Sequence, residues 1–196
     1  MSEVSSPGNV GSSAGSVIKA VEARVRHPED GDSGPMTFDL KPGEGALVAG
    51  LSLPLLRGLM EICLGSRRPD EGAISWNIGR GGPRPGDLWS GYDFYRQIGY
   101  VNRHSQLLSN ISLLENLILL YSYGRLERPE AVARARGILE IFGLSEYEES
   151  AADALPEPER RLALYALSFC KRPRLFLMER PAQFLDRDFD KIWDIV

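Results

Sequence analysis

A chain of 196 residues with 43% hydrophobic and 26% charged residues is long enough to bury one sizeable core with an attached lobe, which argues against a disordered polypeptide. A net charge of -4 gives no reason to expect nucleic acid as a partner, because phosphate backbones are held mainly by excess Lys and Arg. Cys63, Cys170, His27 and His104 lie far apart, so the cysteines read as buried free thiols and no metal centre is expected.

The first 16 residues, rich in Ser and Gly and without large apolar side chains, read as a flexible tail and not as a secretion signal. No run approaches the ~18 apolar residues that span a bilayer, so the chain is expected to be soluble and to reach a membrane only through a partner. Val17 to His27 alternates as a strand, with Val21, Ala23 and Val25 on one face, and PEDGDSGP is a turn. A second strand in TFDL leads through Pro42 and Gly43 into Ala46–Ala49, which reads as a buried strand. At Gly50 the pattern changes to an amphipathic helix starting near Ser52, with Leu55, Leu56, Leu59, Ile62 and Cys63 on its apolar face.

RRPDEGAISWNI predicts a turn and a short strand through Ile74, Trp76 and Ile78, followed by the Gly/Pro-rich excursion GRGGPRPGDLWSG. Ile98 to Val101 reads as a buried strand and NRHSQLLSNIS as a loop. Helical periodicity begins at Leu113 and resumes from Arg128 to Phe142, where Gly143 suits a left-handed helix end. SEYEESAADALPEPE is a polar, acidic segment, RRLALYALSFCKR a third helix, and RLFLME a strand expected to be buried on both faces. The last residues before Val196 look helical.

In this order the chain resembles the nucleotide-binding domain of ABC transporters over nearly all of residues 17 to 196. LKPGEGALVAG is similar to the strand entering that family's Walker A loop, RRPDEGAI to the segment after its helix, and IGYV to the strand before the Q-loop. SLLENLIL resembles the start of the helical subdomain, and RPRLFLMERPAQFLD has the shape of Walker B followed by the D-loop. The resemblance implies an α/β fold of the P-loop NTPase type, with a mixed sheet core and an inserted helical subdomain. The expected division is a tail over 1–16, an α/β core over 17–102 and 168–196, and the helical subdomain over 103–167.

Carried over residue by residue, the same resemblance fails where nucleotide chemistry is needed. In G-x-x-G-x-G-K-[ST], Gly50 keeps the first glycine, but Leu53 and Leu55 replace the next two, Leu56 the lysine and Arg57 the Mg-binding hydroxyl, with Gly58 following. Such a loop binds phosphate through closely approaching backbone N–H groups and a lysine that reaches the outer phosphates, and Pro54 has no N–H to give. The Q-loop glutamine falls on Arg103, and a guanidinium cannot coordinate Mg²⁺. The aromatic that stacks on adenine in the family falls near His27. The signature L-S-G-G-Q reads Leu155, Pro156, Glu157, Pro158, Glu159; as an acidic turn it presents two carboxylates where phosphate would sit. In Walker B the metal-associated aspartate aligns with Glu179 and the catalytic glutamate with Arg180, which stays protonated and cannot activate water. Asp186 keeps the D-loop position.

The expected function is therefore a catalytically silent ABC-type subunit, a scaffold or regulator for a membrane permease or an intact partner ATPase, with no catalytic residue and no cofactor. A homodimer, a cytoplasmic location and peripheral placement at the inner face of a membrane through the permease go with that expectation. Two alternatives stand beside it: an ATP-hydrolysing transporter subunit that binds Mg-ATP with Arg57 in place of lysine and Glu179 in catalysis, and a soluble anion or ligand sensor using Arg103 and the helix N-terminus, whose positive end contributes about 0.3–1 kcal/mol.

Overall fold

The computed structural model describes residues 15–78, 95–123 and 126–179. The expected tail residues 1–14, the Gly/Pro-rich excursion from Gly79 and the helical reading of the last residues lie outside the described residues, as do Arg180 and Asp186. The chain falls into two compact units, Met1–Gly91 and Tyr92–Val196.

In the first unit, β1 (Ile18–Arg24) is the centre of an antiparallel sheet, flanked by β4 (Met36–Leu40) and β5 (Glu71–Trp76). The alternation expected for β1 does not run through unbroken. A bulge lies between Ala20 and Ala23 on the β4 side, and Glu22 has φ +49°. An extra residue shifts a period-2 pattern by one. Ile18, Ala20, Ala23 and Val25 are therefore buried while Val21 is only half-buried.

The turn after β1 carries a small hairpin, β2 (Arg26–His27) paired with β3 (Gly31–Asp32). Arg24 and Arg26 each pair with both Asp32 and Glu71, linking the hairpin to β5. The Asp32 carboxyl is held below the usual carboxylate range, first because the Gly34 N–H donates to it at 2.6 Å and then because Arg26 and Arg24 face it. These groups are exposed, so they orient the hairpin more than they stabilise it.

Helix α1 (Leu53–Cys63) buries Leu55, Leu59, Met60, Ile62 and Cys63, close to the expected stripe, with Leu56 half-buried. It ends at Leu64, and Gly65 follows with φ +71°. The Trp76 indole N–H donates to the Cys63 carbonyl at 2.8 Å, fastening the end of β5 to the end of the helix. Burial pushes the Cys63 thiol up to about 12, so it behaves as a small apolar side chain.

The buried strand expected at Ala46–Ala49 is not there. Residues 41–50 are exposed, Leu47 at 85% and Val48 at 39%, and the run joins no ladder among the described residues. Four apolar residues between Gly45 and Gly50 have the composition of a strand, but ladder hydrogen bonds come only from a neighbouring strand.

In the second unit, β6 (Ile98–Val101) pairs in parallel with β7 (Leu175–Met178), Ile98 opposite Leu175 and Val101 opposite Met178. Of β7 only Leu175 is fully buried; Phe176, Leu177 and Met178 are half-buried, which corrects the expectation of burial on both faces. The strand has a ladder on one side only among the described residues, so one edge lacks the cover a central parallel strand has. Phe176 lies over Gly99 of β6, stacks on Tyr165 with ring centroids 6.2 Å apart and meets Phe169 in a tilted contact at 5.0 Å.

Three helices complete the unit: α2 (Leu113–Tyr123), α3 (Arg128–Ile141) and α4 (Glu157–Phe169). The Ser112 hydroxyl accepts the Glu115 N–H at 3.1 Å and caps α2. Gly143, at φ +66°, turns the chain out of α3 while the Leu144 N–H returns to the Leu139 carbonyl at 2.7 Å, the left-handed end expected from the sequence. Leu113, Leu117, Ala131, Ala135, Leu139, Leu144, Ala163 and Ala166 form the fully buried centre of this core.

Helix α4 starts three residues before the expected Arg160. Pro156 is the residue before the helix, Pro158 stands in its first turn where a missing N–H costs nothing, and Glu157 and Glu159 sit at its positive end. The acidic turn expected at Leu155–Glu159 is thus largely the opening of a helix.

Candidate functional site

The positions singled out from the sequence fall into both units, and each unit is described by itself. In the first, Gly50 takes φ +85° and delivers the chain to Ser52, the residue that precedes α1. The Ser52 side chain makes no capping hydrogen bond, and its buried hydroxyl has no partner. Leu53 opens the helix, Pro54 follows with no donor, Leu55 turns into the core at 5% exposure, and Leu56 is half-buried. Arg57, the fifth residue of the helix, is exposed. Gly58 has a packing role: a Cβ there would lie 2.5 Å from Val25 Cγ1 and 2.9 Å from Arg67 Nη1. His27 pairs with Asp30 through Nδ1 at 3.0 Å, so its ring belongs to the β2–β3 hairpin.

In the second unit, Arg103 stands in a tight turn just beyond β6. The Asn102 N–H donates to Ser105 Oγ at 3.0 Å, the His104 N–H to Asn102 Oδ1 at 2.8 Å, and the Ser105 N–H to the Asn102 carbonyl at 3.1 Å. The turn holds its own backbone and leaves the Arg103 side chain exposed, with no ion pair among the described residues.

The carboxylates of the Leu155–Glu159 segment do not stand free as a pair. Glu157 Oε1 accepts from Arg161 Nε at 2.7 Å, and its other oxygen pairs with Arg160, so one carboxylate is neutralised along its own helix. Glu159 is half-buried and turns Oε2 inward, where that oxygen has no hydrogen-bond partner. Leu155 is buried at 4% exposure and anchors the segment.

Glu179, just after β7, is 4% exposed. Its N–H donates to the Val101 carbonyl at 3.0 Å, the Tyr100 hydroxyl lies 3.4 Å from Oε2, and Oε1 is buried without a partner. No cluster of three or more metal-ligating side chains occurs among the described residues.

One feature went unread in the sequence: a groove of about 380 Å³ between the turn after β6 and the first half of α4, with Arg103 at its mouth and Leu164 and Tyr165 in its floor. Tyr165 is 2% exposed, and burial pushes its phenol up to about 12. The available signal was the Arg160-Arg161 pair three and four residues after Glu157, a spacing that locks a helix turn and marks the wall of the groove.

No family model matches the chain. It is 28% identical over 151 residues to the lipoprotein-releasing system ATP-binding protein LolD of Pseudomonas fluorescens, covering 77% of this chain and 66% of that one. It is 30% identical over 152 residues to LolD of Chromohalobacter salexigens, covering 78% and 64%. An uncharacterized ABC transporter ATP-binding protein of Mycobacterium tuberculosis is 28% identical over 166 residues, covering 82% and 65%. The chain thus spans slightly less than two thirds of the length of these relatives. Among solved structures, cbiO1 from Clostridium perfringens, part of the ABC transporter complex cbiONQ, superposes with a TM-score of 0.77 at 16% identity, over 93% of this chain and 74% of that one. A dimeric bacterial ABC transporter cassette gives a TM-score of 0.69 at 18% identity, over 89% and 79%. The chain thus has the P-loop α/β fold of ABC cassettes and is similar in sequence to the ATP-binding proteins of ABC transporters.

Proposed function

We propose that this chain is a non-catalytic member of the ABC-cassette family, a partner-binding subunit that scaffolds or regulates a membrane permease or an intact ATPase instead of hydrolysing ATP. The observation that carries the reading is the corner from Gly50 to Arg57. Phosphate binding there calls for a glycine-lined loop whose N–H groups converge on the ligand and for a lysine that reaches its outer oxygens. Here Leu55 is packed into the core, Leu56 is neutral and half-buried, and Pro54 has no N–H. These residues do not fit a nucleotide phosphate.

The second unit supports the same reading. Arg103 stands at the Q-loop position, Glu157 is spent on Arg160 and Arg161, and Arg180 occupies the place of the carboxylate that orients water in the family. A guanidinium stays protonated and cannot take a proton from water. The buried cores of both units are kept, as a scaffold requires. Relatives include a taurine import protein and the lipoprotein-releasing proteins, and the family likeness supports a location at the cytoplasmic face of a membrane, held there by the partner. No helix of the described residues is long and apolar enough to cross a membrane. The dimeric neighbour supports pairing with a second cassette, either another copy or an intact one.

Phosphate release at saturating Mg-ATP tests the proposal. The purified chain is expected to release no phosphate above a protein-free control, whether alone or in two-fold dimerising conditions at high concentration. Turnover on the order of 1 s⁻¹, the lower end of the usual enzyme range, would remove it.

A further inference from the structure

We propose that the end of the second unit where β6 and β7 begin is a contact surface for anionic lipid headgroups, with Arg96, Lys171, Arg172 and Arg174 taking their phosphates. The inference goes beyond the partner-binding reading: it gives the chain a hold of its own on the membrane, and it stands whether or not the chain turns over ATP.

Topology brings the four cations to one place. The parallel register of β6 and β7, with Ile98 opposite Leu175, puts both strand entrances at the same end of the pair. There the Gln97 carbonyl accepts the Arg174 N–H at 2.8 Å and the Leu175 N–H at 3.2 Å, so the residue after Arg96 is bonded to Arg174. Helix α4 ends at Phe169, two positions before Lys171. All four residues are exposed, and Lys171, Arg172 and Arg174 make no ion pair among the described residues. Neither 95–97 nor 170–174 contains an acidic residue, so this end is locally positive in a chain whose net charge is -4.

One of the four is held in a conformation that favours another residue. Arg172 has φ +51°, a left-handed region that glycine enters freely and an L side chain does not, while its N–H donates to the Phe169 carbonyl at 2.8 Å. Glycine is the usual residue at such a helix end, as at Gly143. An arginine kept there points to use of its side chain. The segment is also fixed from below, because Pro173 packs over Gly99, where an added Cβ would lie 3.0 Å from Pro173 Cγ. Attraction to the negative end of α4 acts only within its last turn and accounts for Lys171 and Arg172 at most; Arg96 and Arg174 stand just ahead of strands.

The chemistry selects a lipid surface. None of the four cations lines the groove beside α4; they come from a helix end and two strand entrances instead of from the walls of one cavity. A bilayer offers such a set many phosphates at adjustable spacing, and each Lys or Arg near an anionic surface strengthens binding about fivefold. Tyr95, 39% exposed beside Arg96, has the ring and polar tip enriched at membrane interfaces. A nucleic acid would extend past this end along a chain of net charge -4, whereas a bilayer meets the end alone.

Flotation of the full chain with vesicles tests the surface. Vesicles of phosphatidylcholine with about one third phosphatidylserine are expected to carry the chain at about 0.1 M salt and to release it at about 0.5 M, while pure phosphatidylcholine leaves it behind. Lys171→Glu and Arg174→Glu should each weaken binding about tenfold or more, with circular dichroism as the check that they stay folded. Arg172→Gly is the sharper variant: it relieves the left-handed conformation, so the chain should melt no earlier, yet binding should fall about fivefold. Arg68→Glu, the same charge reversal at an exposed arginine of the first unit, should leave flotation unchanged. Equal binding to neutral vesicles, no binding to either kind, a loss with Arg68→Glu equal to that with Lys171→Glu, or undiminished binding by Arg172→Gly would each overturn the surface. So would stabilisation by inorganic phosphate that Arg174→Glu abolishes while vesicles are ignored, which would assign the cations to a free anion. Phosphate release is scored separately: turnover together with vesicle binding removes the non-catalytic reading and keeps the surface, and no vesicle binding without turnover does the reverse.

Discussion

Gly72→Ala should be the most damaging single-methyl change in the first unit, costing about 3 kcal/mol or more in a urea titration followed by hydrogen exchange of the β1 and β5 amides. Two causes add. Gly72 has φ +77°, a backbone region that a Cβ disfavours. A Cβ would also stand 2.2 Å from the Glu22 carbonyl oxygen, 2.4 Å from its carbon and 2.5 Å from the Val21 carbonyl oxygen. All three are backbone atoms at the bulge of β1, so no side chain can swing away to make room. Relief requires moving β5 off β1, and Gly72 lies beside the register shift between Val21 and Arg24. A loss below about 1 kcal/mol would mean that the bulge relaxes freely, against this account.

Leu117→Ala should cost about 2–5 kcal/mol in the second unit, measured as the shift of the denaturant midpoint at unchanged slope. Leu117 is 0% exposed and belongs to the cluster that joins α2 to Ala131, Ala135 and Leu139 of α3 and to Ala163 and Ala166 of α4. The cluster includes four alanines, Ala131, Ala135, Ala163 and Ala166, already at small size, so the space left by a leucine closes poorly. The groove would lose its frame with the core, because Asn116, which fixes Leu108, is the residue before Leu117 on α2. Near-neutral behaviour would indicate a loosely packed helical core.

Elements that generate their own signal were readable from the sequence. Helices α1 to α4 follow the 3.6-residue recurrence of their apolar residues, and Gly143 marks the end of α3 by the one backbone conformation glycine favours there. β5, β6 and β7 were found from short apolar runs flanked by charge or turn residues. What failed depends on partners that a local pattern does not contain. Ala46–Ala49 has the residues of a strand but no neighbouring strand to bond with, so Leu47 is left in water. The face of β1 was misjudged before the bulge, where Ile18 and Ala20 are buried in place of Val21, because the shift at Glu22 has no mark in composition; Ala23 and Val25 are buried as expected.

For the candidate site the limits are similar. Residue types at Leu56, Arg57, Arg103 and Glu179 were plain in the sequence, and so was the chemistry each can or cannot do. Their settings were not: Glu157 read as a free acid but is neutralised by Arg160 and Arg161, at helical spacings that follow only once α4 is known to start at Glu157. The groove depends on Arg103 and Tyr165 meeting across 62 positions of chain. No motif of neighbouring residues encodes that meeting.

Calorimetric titration of the purified chain with Mg-ATP tests the loss of nucleotide chemistry most directly. The account predicts no saturable heat up to about 1 mM nucleotide, a dissociation constant weaker than about -4 kcal/mol of binding. Saturable binding in the micromolar range, about -8 kcal/mol, that disappears with Arg57→Ala would contradict it and show a working nucleotide site at the start of α1.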